Sequence, residues 1–169
     1  MPTYNFIAKA TVGSGGSNTI VFSDIPQTYT DLVLNISARS SRAVSTMESF
    51  QIRPNGTMSG SAQKRMQGQG SSAGAESATN EIYVGWLGND GTSNTFNNVN
   101  VYFGNYRNSM SKSIGIDSVT ENNNTTNWRN ELICVLTGSS SAITSITLSG
   151  ASFNFVEHST AHLYGISNA

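Results

Sequence analysis

The sequence predicts an all-β fold, and two patterns in its 169 residues support this prediction. The first is an alternation of apolar and polar residues, clearest at residues 31–39, which is the period of a strand with one buried face. The second is turn-forming sequence between the alternating segments, as at residues 13–16 and 54–56. No segment has the sustained apolar spacing of an amphipathic helix. We therefore expect a single domain, residues 1–169, folded as an antiparallel, jelly-roll-like β-sandwich with one long Gly/Ser-rich loop.

Each alternating segment is rich in β-branched and aromatic residues, which fit the pleated surface of a sheet. A parallel sheet is excluded because its strands would need crossover helices between them. Ten strands are predicted in this way, at residues 4–12, 18–23, 31–39, 49–53, 81–87, 98–103, 112–119, 128–136, 143–148 and 160–166.

Residues 56–80 interrupt the alternation and are rich in Gly, Ser and Ala. A connection of this length in a compact domain is usually functional or mobile. One interpretation is a solvated loop that contains a short edge strand, and the other is an arm that becomes ordered against a neighbouring molecule. In the second interpretation the partner-binding residues are Met58, Lys64, Arg65 and Met66, because methionine adapts to irregular surfaces and arginine can bind a carboxylate.

The composition excludes some classes of partner. Serine, threonine and asparagine account for 62 of the 169 residues, whereas charged residues make up only 11% and the formal net charge is −1. The nine Lys and Arg residues are scattered, so we expect no nucleic-acid partner, since phosphate binding needs clustered basic residues. No apolar run approaches the ~20 residues of a membrane-spanning helix, and the N-terminus lacks a signal-peptide pattern, so we expect no membrane partner.

The strand period also assigns side chains to faces. Cys134 is the single cysteine, which excludes an intrachain disulfide and favours a reducing compartment. It alternates with Leu132 and Leu136, so we expect all three to be buried. Trp86 and Trp128 each alternate with aliphatic residues. Core packing is the favoured interpretation for both tryptophans, and stacking on a sugar is the alternative.

Further aromatic and apolar residues are expected to face outward. Tyr83, Tyr102 and Tyr106 are candidates for stacking on a sugar, and we expect Tyr106, which follows a predicted strand, to be the most exposed. Some outward faces carry more apolar residues than a solvated face needs, and we expect them to be buried between the subunits of a homotrimer, since closed rings are the usual solution for repeated contacts. These faces are Tyr83, Gly85 and Leu87, and Val99, Val101 and Phe103.

Catalytic and metal-binding patterns are weak. Residues 70–74 match the G-x-S-x-G motif of hydrolases, and possible partners follow at Asp90, Asp117, His158 and His162. That motif needs a strand before the serine and a helix after it, and neither is predicted here. Residues 68–73 match a dinucleotide-binding pattern that lacks the same flanking elements. His158 and His162 would lie about 13 Å apart on one extended strand, too far for one zinc ion. We expect no enzymatic activity, no cofactor and no metal site.

Residues 20–32, with the sequence IVFSDIPQTYTDL, resemble a recurring opening segment in virion proteins of tailed phages. These are small β-rich proteins, common in marine and cyanobacterial phages. The resemblance spans nearly the whole chain, and it continues at residues 38–40, 53–56, 142–148 and 159–166.

The resemblance implies a virion structural component with a jelly-roll-like fold and no catalytic residues. Similar proteins serve as capsid decoration (cement) proteins or as modules of tail fibres and head spikes. A stand-alone domain of this size suits many-copy binding to a capsid lattice, so we expect a decoration protein whose partner is the major capsid protein. It would lie on the capsid surface of a virion assembled in the host cytoplasm. The alternative is a receptor- or glycan-binding module of a tail fibre or head spike.

Overall fold

The computed structural model describes residues 2–42, 48–88, 92–120 and 129–167. Within these ranges every regular element is a strand, and all the strand pairs are antiparallel, so the prediction of an all-β sandwich is confirmed. The twelve strands of the described residues are β1 (Thr3–Thr11), β2 (Thr19–Phe22), β3 (Asp31–Ala38), β4 (Glu48–Pro54), β5 (Ala62–Gln69), β6 (Ser72–Thr79), β7 (Tyr83–Leu87), β8 (Asn97–Phe103), β9 (Ser113–Thr120), β10 (Arg129–Leu136), β11 (Ile146–Gly150) and β12 (Thr160–Ser167).

The strands form two sheets of unequal size. The large sheet has eight strands in the order β1-β12-β3-β8-β9-β10-β5-β6, and the small sheet has four in the order β2-β11-β4-β7. Consecutive strands lie in different sheets except for β5 and β6, β8 and β9, and β9 and β10, which are neighbours in the large sheet. Strands β9, β10, β5 and β6 widen the large sheet beyond β8.

The hydrophobic core lies between the sheets. Phe50 of β4 and Phe155 are both fully buried, and their rings meet edge to face with centroids 5.8 Å apart. Strand β3 contributes Leu32, Leu34 and Ile36 from alternate positions, as the period of two requires. Each of these side chains stabilises the fold by about 1.5–3 kcal/mol through removal of its apolar surface from water.

The prediction of a long loop at residues 56–80 is wrong. Most of this segment is a hairpin, in which β5 and β6 pair along eight residues and turn at Gly70 and Ser71. The apolar alternation fails here because the inward side chains of β5 include Gln63 and Arg65, which are polar but buried. A strand with a polar inner face has no hydrophobic pattern from which to predict it.

The prediction of which side chains are buried is also wrong for β10 and for β7. Cys134 is exposed together with Leu132 and Leu136, while the other face of β10 is buried. In β7, Leu87 is fully buried and Trp86 is only half-buried, because a β-bulge shifts the pairing between β7 and β4. Trp128 lies outside the described residues.

Two expectations for exposed apolar surface are corrected as well. Val99, Val101 and Phe103 of β8 are buried in the core, since the alternate residues of that strand face outward, and so they form no subunit interface. Tyr106 is fully buried instead of exposed, and its hydroxyl donates a hydrogen bond to the Pro26 carbonyl.

Candidate functional site

Exposed apolar side chains are concentrated on the outer face of the large sheet. Among the described residues, nine large hydrophobic side chains are exposed, and seven of them lie on this face. Contiguous exposed apolar surface is uncommon on monomeric soluble proteins and usually marks a contact with something else. The seven are Tyr4, Phe6, Met66, Tyr102, Val119, Leu132 and Leu136.

One end of this face carries an aliphatic stripe, which we define as Met66, Leu132, Cys134 and Leu136. Leu132 of β10 lies directly opposite Met66 of β5, and both side chains are more than half exposed. Cys134 lies opposite Lys64, whose ammonium group donates a 2.7 Å hydrogen bond to the Ser77 hydroxyl. The stripe is therefore an apolar row with one cation beside it.

The other end carries an aromatic patch, which we define as Tyr4, Phe6, Tyr102 and Tyr164. Phe6 of β1 pairs with Tyr164 of β12, and their rings meet edge to face with centroids 5.8 Å apart. Tyr164 and Tyr102 lie on either side of one residue, Val33 of β3. Tyr4, Phe6 and Tyr102 are 62%, 59% and 40% exposed. Aromatic surface is thus presented to solvent from β1, β12 and β8, with β3 between the last two.

Two aliphatic residues lie beneath the aromatic patch. Val33 and Ile166 are only 5% and 4% exposed, yet neither belongs to the core between the sheets. They are the cross-strand neighbours of the patch residues, since Val33 pairs with Tyr164 and Tyr102, and Ile166 pairs with Tyr4. We infer that the aromatic rings cover these two side chains, so the patch is a small hydrophobic cluster on the outside of the sandwich.

Tyr102 is anchored by Asp31. The Tyr102 hydroxyl donates a 2.7 Å hydrogen bond to Asp31 Oδ2, and Asp31 Oδ1 accepts a 2.7 Å hydrogen bond from the backbone N–H of Asn105. The bond to Asp31, helped by partial burial, raises the pKa of Tyr102 to about 12. The ring is therefore held in one position by a buried carboxylate.

A polar row runs across the sheet beside the aromatic patch. Cross-strand pairing aligns Lys9, His162, Asn35, Asn100 and Asp117 on neighbouring strands. The Asn100 amide nitrogen donates a 2.6 Å hydrogen bond to the Asn35 amide oxygen, and both side chains are exposed. The middle of this row is uncharged and can both donate and accept hydrogen bonds.

The inner face of the widened part of the sheet carries an ionic cluster, which we define as Arg65, Glu76, Arg129 and Glu131. Arg65 forms ion pairs with Glu76 and Glu131, the latter at 3.5 Å. The Trp86 indole N–H donates a 3.0 Å hydrogen bond to Glu131 Oε1, and the Arg129 guanidinium lies 4.6 Å from the Trp86 ring centroid. The cluster therefore joins β5, β6 and β10 of the large sheet to β7 of the small sheet.

Burial dominates the electrostatics of Glu131, which is 1% exposed. Desolvation raises the pKa of Glu131, although Arg65, Arg129 and the Trp86 hydrogen bond act in the opposite direction. The second carboxylate oxygen, Oε2, is buried and has no hydrogen-bond partner among the described residues. The cluster thus holds a charge that its partners only partly compensate, and its position between the sheets indicates a structural role.

The four residues that the sequence proposed for partner binding do not share one face. Lys64 and Met66 point outward, and Met66 belongs to the aliphatic stripe. Arg65 points inward and already binds two carboxylates of its own chain. Met58 is half-buried against the core, and its sulfur accepts a hydrogen bond from the Ile82 N–H. Only Lys64 and Met66 are placed where another molecule can reach them.

The catalytic motifs fall on elements that do not suit them. Residues 70–74 form the β5–β6 turn and the start of edge strand β6, so Ser72 does not lie on a strand-to-helix turn. His158 lies in a turn, and His162 lies in the polar row of β12. In the part of the chain that the structure describes, no group of three or more His, Cys, Asp or Glu side chains could hold a metal ion.

Sequence reasoning missed most of the aromatic patch. Tyr102 was considered as a sugar-stacking residue, but Tyr4, Phe6 and Tyr164 were not. The sequence does show two aromatic residues at alternate positions of the first strand and one aromatic residue in the last strand. These three side chains share a face only because the two strands pair with each other.

No protein-family model matches the chain, and no curated protein is significantly similar to it. Across residues 2–42, 48–88, 92–120 and 129–167, there is no helix of the length and hydrophobicity needed to span a membrane.

Proposed function

We propose that the protein is a structural component of a tailed-phage virion and, more specifically, a capsid decoration (cement) protein. The resemblance at residues 20–32 and 159–166 supports the class of protein, and the antiparallel β-sandwich is compatible with it. The observation that carries the proposal is the aliphatic stripe, an exposed apolar row on a regular sheet face. Such a row can be buried against the surface of a lattice.

The proposed partner is the major capsid protein, on the capsid surface of a virion assembled in the host cytoplasm. Leu132 and Leu136 are 52% and 58% exposed, so each has apolar area to lose on contact. Fully burying a leucine is worth about 1.5–3 kcal/mol, and partial burial contributes a proportional share. Lys64 lies beside the stripe, as polar groups do at the rim of most protein interfaces.

The proposal includes a homotrimer, because closed rings suit the repeated positions of a capsid lattice. Most of the residues first expected to join the subunits are buried in the core, so the trimer contact has to lie elsewhere on the surface. Light scattering of the purified protein tests the trimer. A stable monomer at micromolar concentration and at lattice-like density would contradict it.

Capsid binding is tested by co-sedimentation of the purified protein with empty, expanded capsids. We expect the wild-type protein to bind and to raise the melting temperature of the capsids. Leu132→Ser/Leu136→Ser should bind at least ten-fold more weakly. Val21→Ser is the matched control, because Val21 is 56% exposed but lies on the small sheet. Equal binding by the stripe variant and the control would refute the stripe as the contact surface.

Copy number distinguishes the proposed role from its alternative. Quantitative mass spectrometry of purified virions should find the protein in numbers comparable to the capsid protein. A few copies per particle would favour a module of a tail fibre or head spike instead.

A further inference from the structure

We propose that the aromatic patch is a binding site for a neutral glycan chain, a function beyond attachment to a capsid. The site consists of Phe6, Tyr164 and Tyr102, with Tyr4 at its margin and the polar row beside it. These side chains lie on one continuous sheet face, because their strands β1, β12 and β8 are held in register through β3.

The spacing of the rings suits an extended chain that crosses the strands. Tyr164 and Tyr102 are separated by two interstrand steps, about 10 Å, with Val33 between them. Phe6 extends the row by one further strand beyond Tyr164. A glycan lying across the strands would therefore meet an aromatic ring at one sugar, pass over the covered Val33, and meet a second aromatic ring.

The rings are held in place before any ligand arrives. Tyr102 is fixed by its hydrogen bond to the buried Asp31, and Phe6 and Tyr164 support each other edge to face. Val33 and Ile166, which are buried on the same face, pair across the strands with Tyr164, Tyr102 and Tyr4. A site that is already ordered loses little side-chain entropy on binding, which matters most for a weak, shallow contact.

The chemistry of the patch favours a sugar. The face of an aromatic ring is electron-rich and attracts the C–H groups that line one face of a pyranose ring. In the adjacent polar row, His162, Asn35 and Asn100 can donate hydrogen bonds to hydroxyl groups and accept hydrogen bonds from them. The exposed charges of the row are Lys9 at one end and Asp117 at the other, so its centre carries no excess charge to select an ionic ligand.

The aliphatic stripe and the aromatic patch, at opposite ends of the outer face, have different side chains and therefore suit different ligands. The aliphatic stripe consists of Leu, Met and Cys, which suit a flat protein contact. The aromatic patch combines rings with amides and an imidazole, which suit a ligand that has both C–H and hydroxyl groups. Glycan binding at the patch is therefore separable from capsid binding at the stripe.

Affinity electrophoresis under native conditions tests the inference. The full chain is run through gels that contain dextran, laminarin, xylan or galactomannan, with alginate as the acidic comparison. We expect at least one neutral polysaccharide to retard the wild-type protein. Phe6→Ala and Tyr164→Ala should each weaken the binding by at least ten-fold. Leu132→Ala, a matched exposed apolar residue of the stripe, should bind as the wild type does.

A second variant distinguishes aromatic stacking on a sugar from non-specific hydrophobic binding. Phe6→Leu retains an apolar side chain but removes the aromatic face, and circular dichroism confirms that each variant is folded. We expect Phe6→Leu to lose glycan binding while it keeps capsid binding. The inference is overturned if no neutral polysaccharide retards the protein, if only alginate does so, or if the Phe6 and Tyr164 variants are retarded as strongly as the wild type. Failure of capsid binding alone leaves these results unaffected and refutes only the decoration role.

Discussion

The ionic cluster between the sheets predicts a large and pH-dependent effect of replacing Arg65 with methionine. Arg65 is 7% exposed, and Glu131, which it faces at 3.5 Å, is 1% exposed. The substitution keeps much of the side-chain volume but leaves Glu131 with the Trp86 N–H and Arg129 as its compensating groups. Removing one partner of a buried ion pair typically costs about 3–5 kcal/mol, so we expect a loss of that size in unfolding free energy at pH 7.

The loss should shrink as the pH falls. The pKa of Glu131 is already raised in the folded wild-type protein, mainly by desolvation, and removal of Arg65 raises it further. Between the unfolded pKa, near 4.5, and the raised folded pKa, the folded state binds more protons than the unfolded state. The free energy of unfolding therefore falls as the pH rises through this window. Below the window Glu131 is protonated in both states, and the stabilising contribution of its raised pKa is fully present. Arg65→Met should therefore regain stability as the pH is lowered from 7 towards the unfolded pKa.

Urea unfolding followed by circular dichroism, at pH 7 and near pH 5, measures both effects. Glu131→Gln is the matched variant, because the amide oxygen can still accept a hydrogen bond from Trp86 and Arg65 still forms its ion pair with Glu76. This variant leaves no fully buried carboxylate in the ionic cluster. We expect Glu131→Gln to be close to wild type at pH 7 and to lack the pH dependence. A loss below about 1 kcal/mol for Arg65→Met at pH 7, or an equal loss at both pH values, would refute the reasoning.

Three further predictions follow from the packing. Cys134 is exposed, so a thiol reagent should label native protein rapidly and stoichiometrically, and labelling only after denaturation would contradict the β10 face assignment. Gly85→Ala should lower the unfolding free energy by more than about 2 kcal/mol, because φ is +140° and a Cβ there would lie 2.6 Å from Ser118 Oγ. Gly115→Ala on β9, where a Cβ would meet nothing within 4 Å, should be neutral or slightly stabilising, and equal losses in chemical denaturation of the two variants would contradict the steric argument. Phe155→Ala should cost about 3–5 kcal/mol in the same assay, and a loss under about 1 kcal/mol would show that Phe155 is not enclosed as the core requires.

The strands were predictable because their signal is local. All ten predicted strands overlap observed strands, and for β3 and β8 the bounds agree to within one residue. In both, one face is strongly apolar and the other is rich in Asn and Ser, so the alternation marks the strand regardless of its neighbours. The same argument explains why β5 and β6 were missed, since neither has an apolar face.

The choice of face could not be made for β10 from its own residues. Leu132, Cys134 and Leu136 are as apolar as Ile133 and Val135, and periodicity alone does not say which set turns inward. The β5 hairpin favours the observed face, because Glu131 can pair with Arg65 only when Glu131, Ile133 and Val135 all face inward. In β7 a β-bulge shifts the alternation by one residue, so that Leu87 is buried at the core and Trp86 is not.

The all-β class, the positions of most strands and the apolar residues of β3 that build the core can be read from the sequence alone, because each depends on a pattern within a few consecutive residues. The surfaces available for binding depend instead on how distant strands pair. The aromatic patch joins Phe6, Tyr164 and Tyr102 from strands far apart in the chain, and the aliphatic stripe joins Met66 to Leu132. Both surfaces arise from the order and register of strands in the sheet, which are set by long-range pairing.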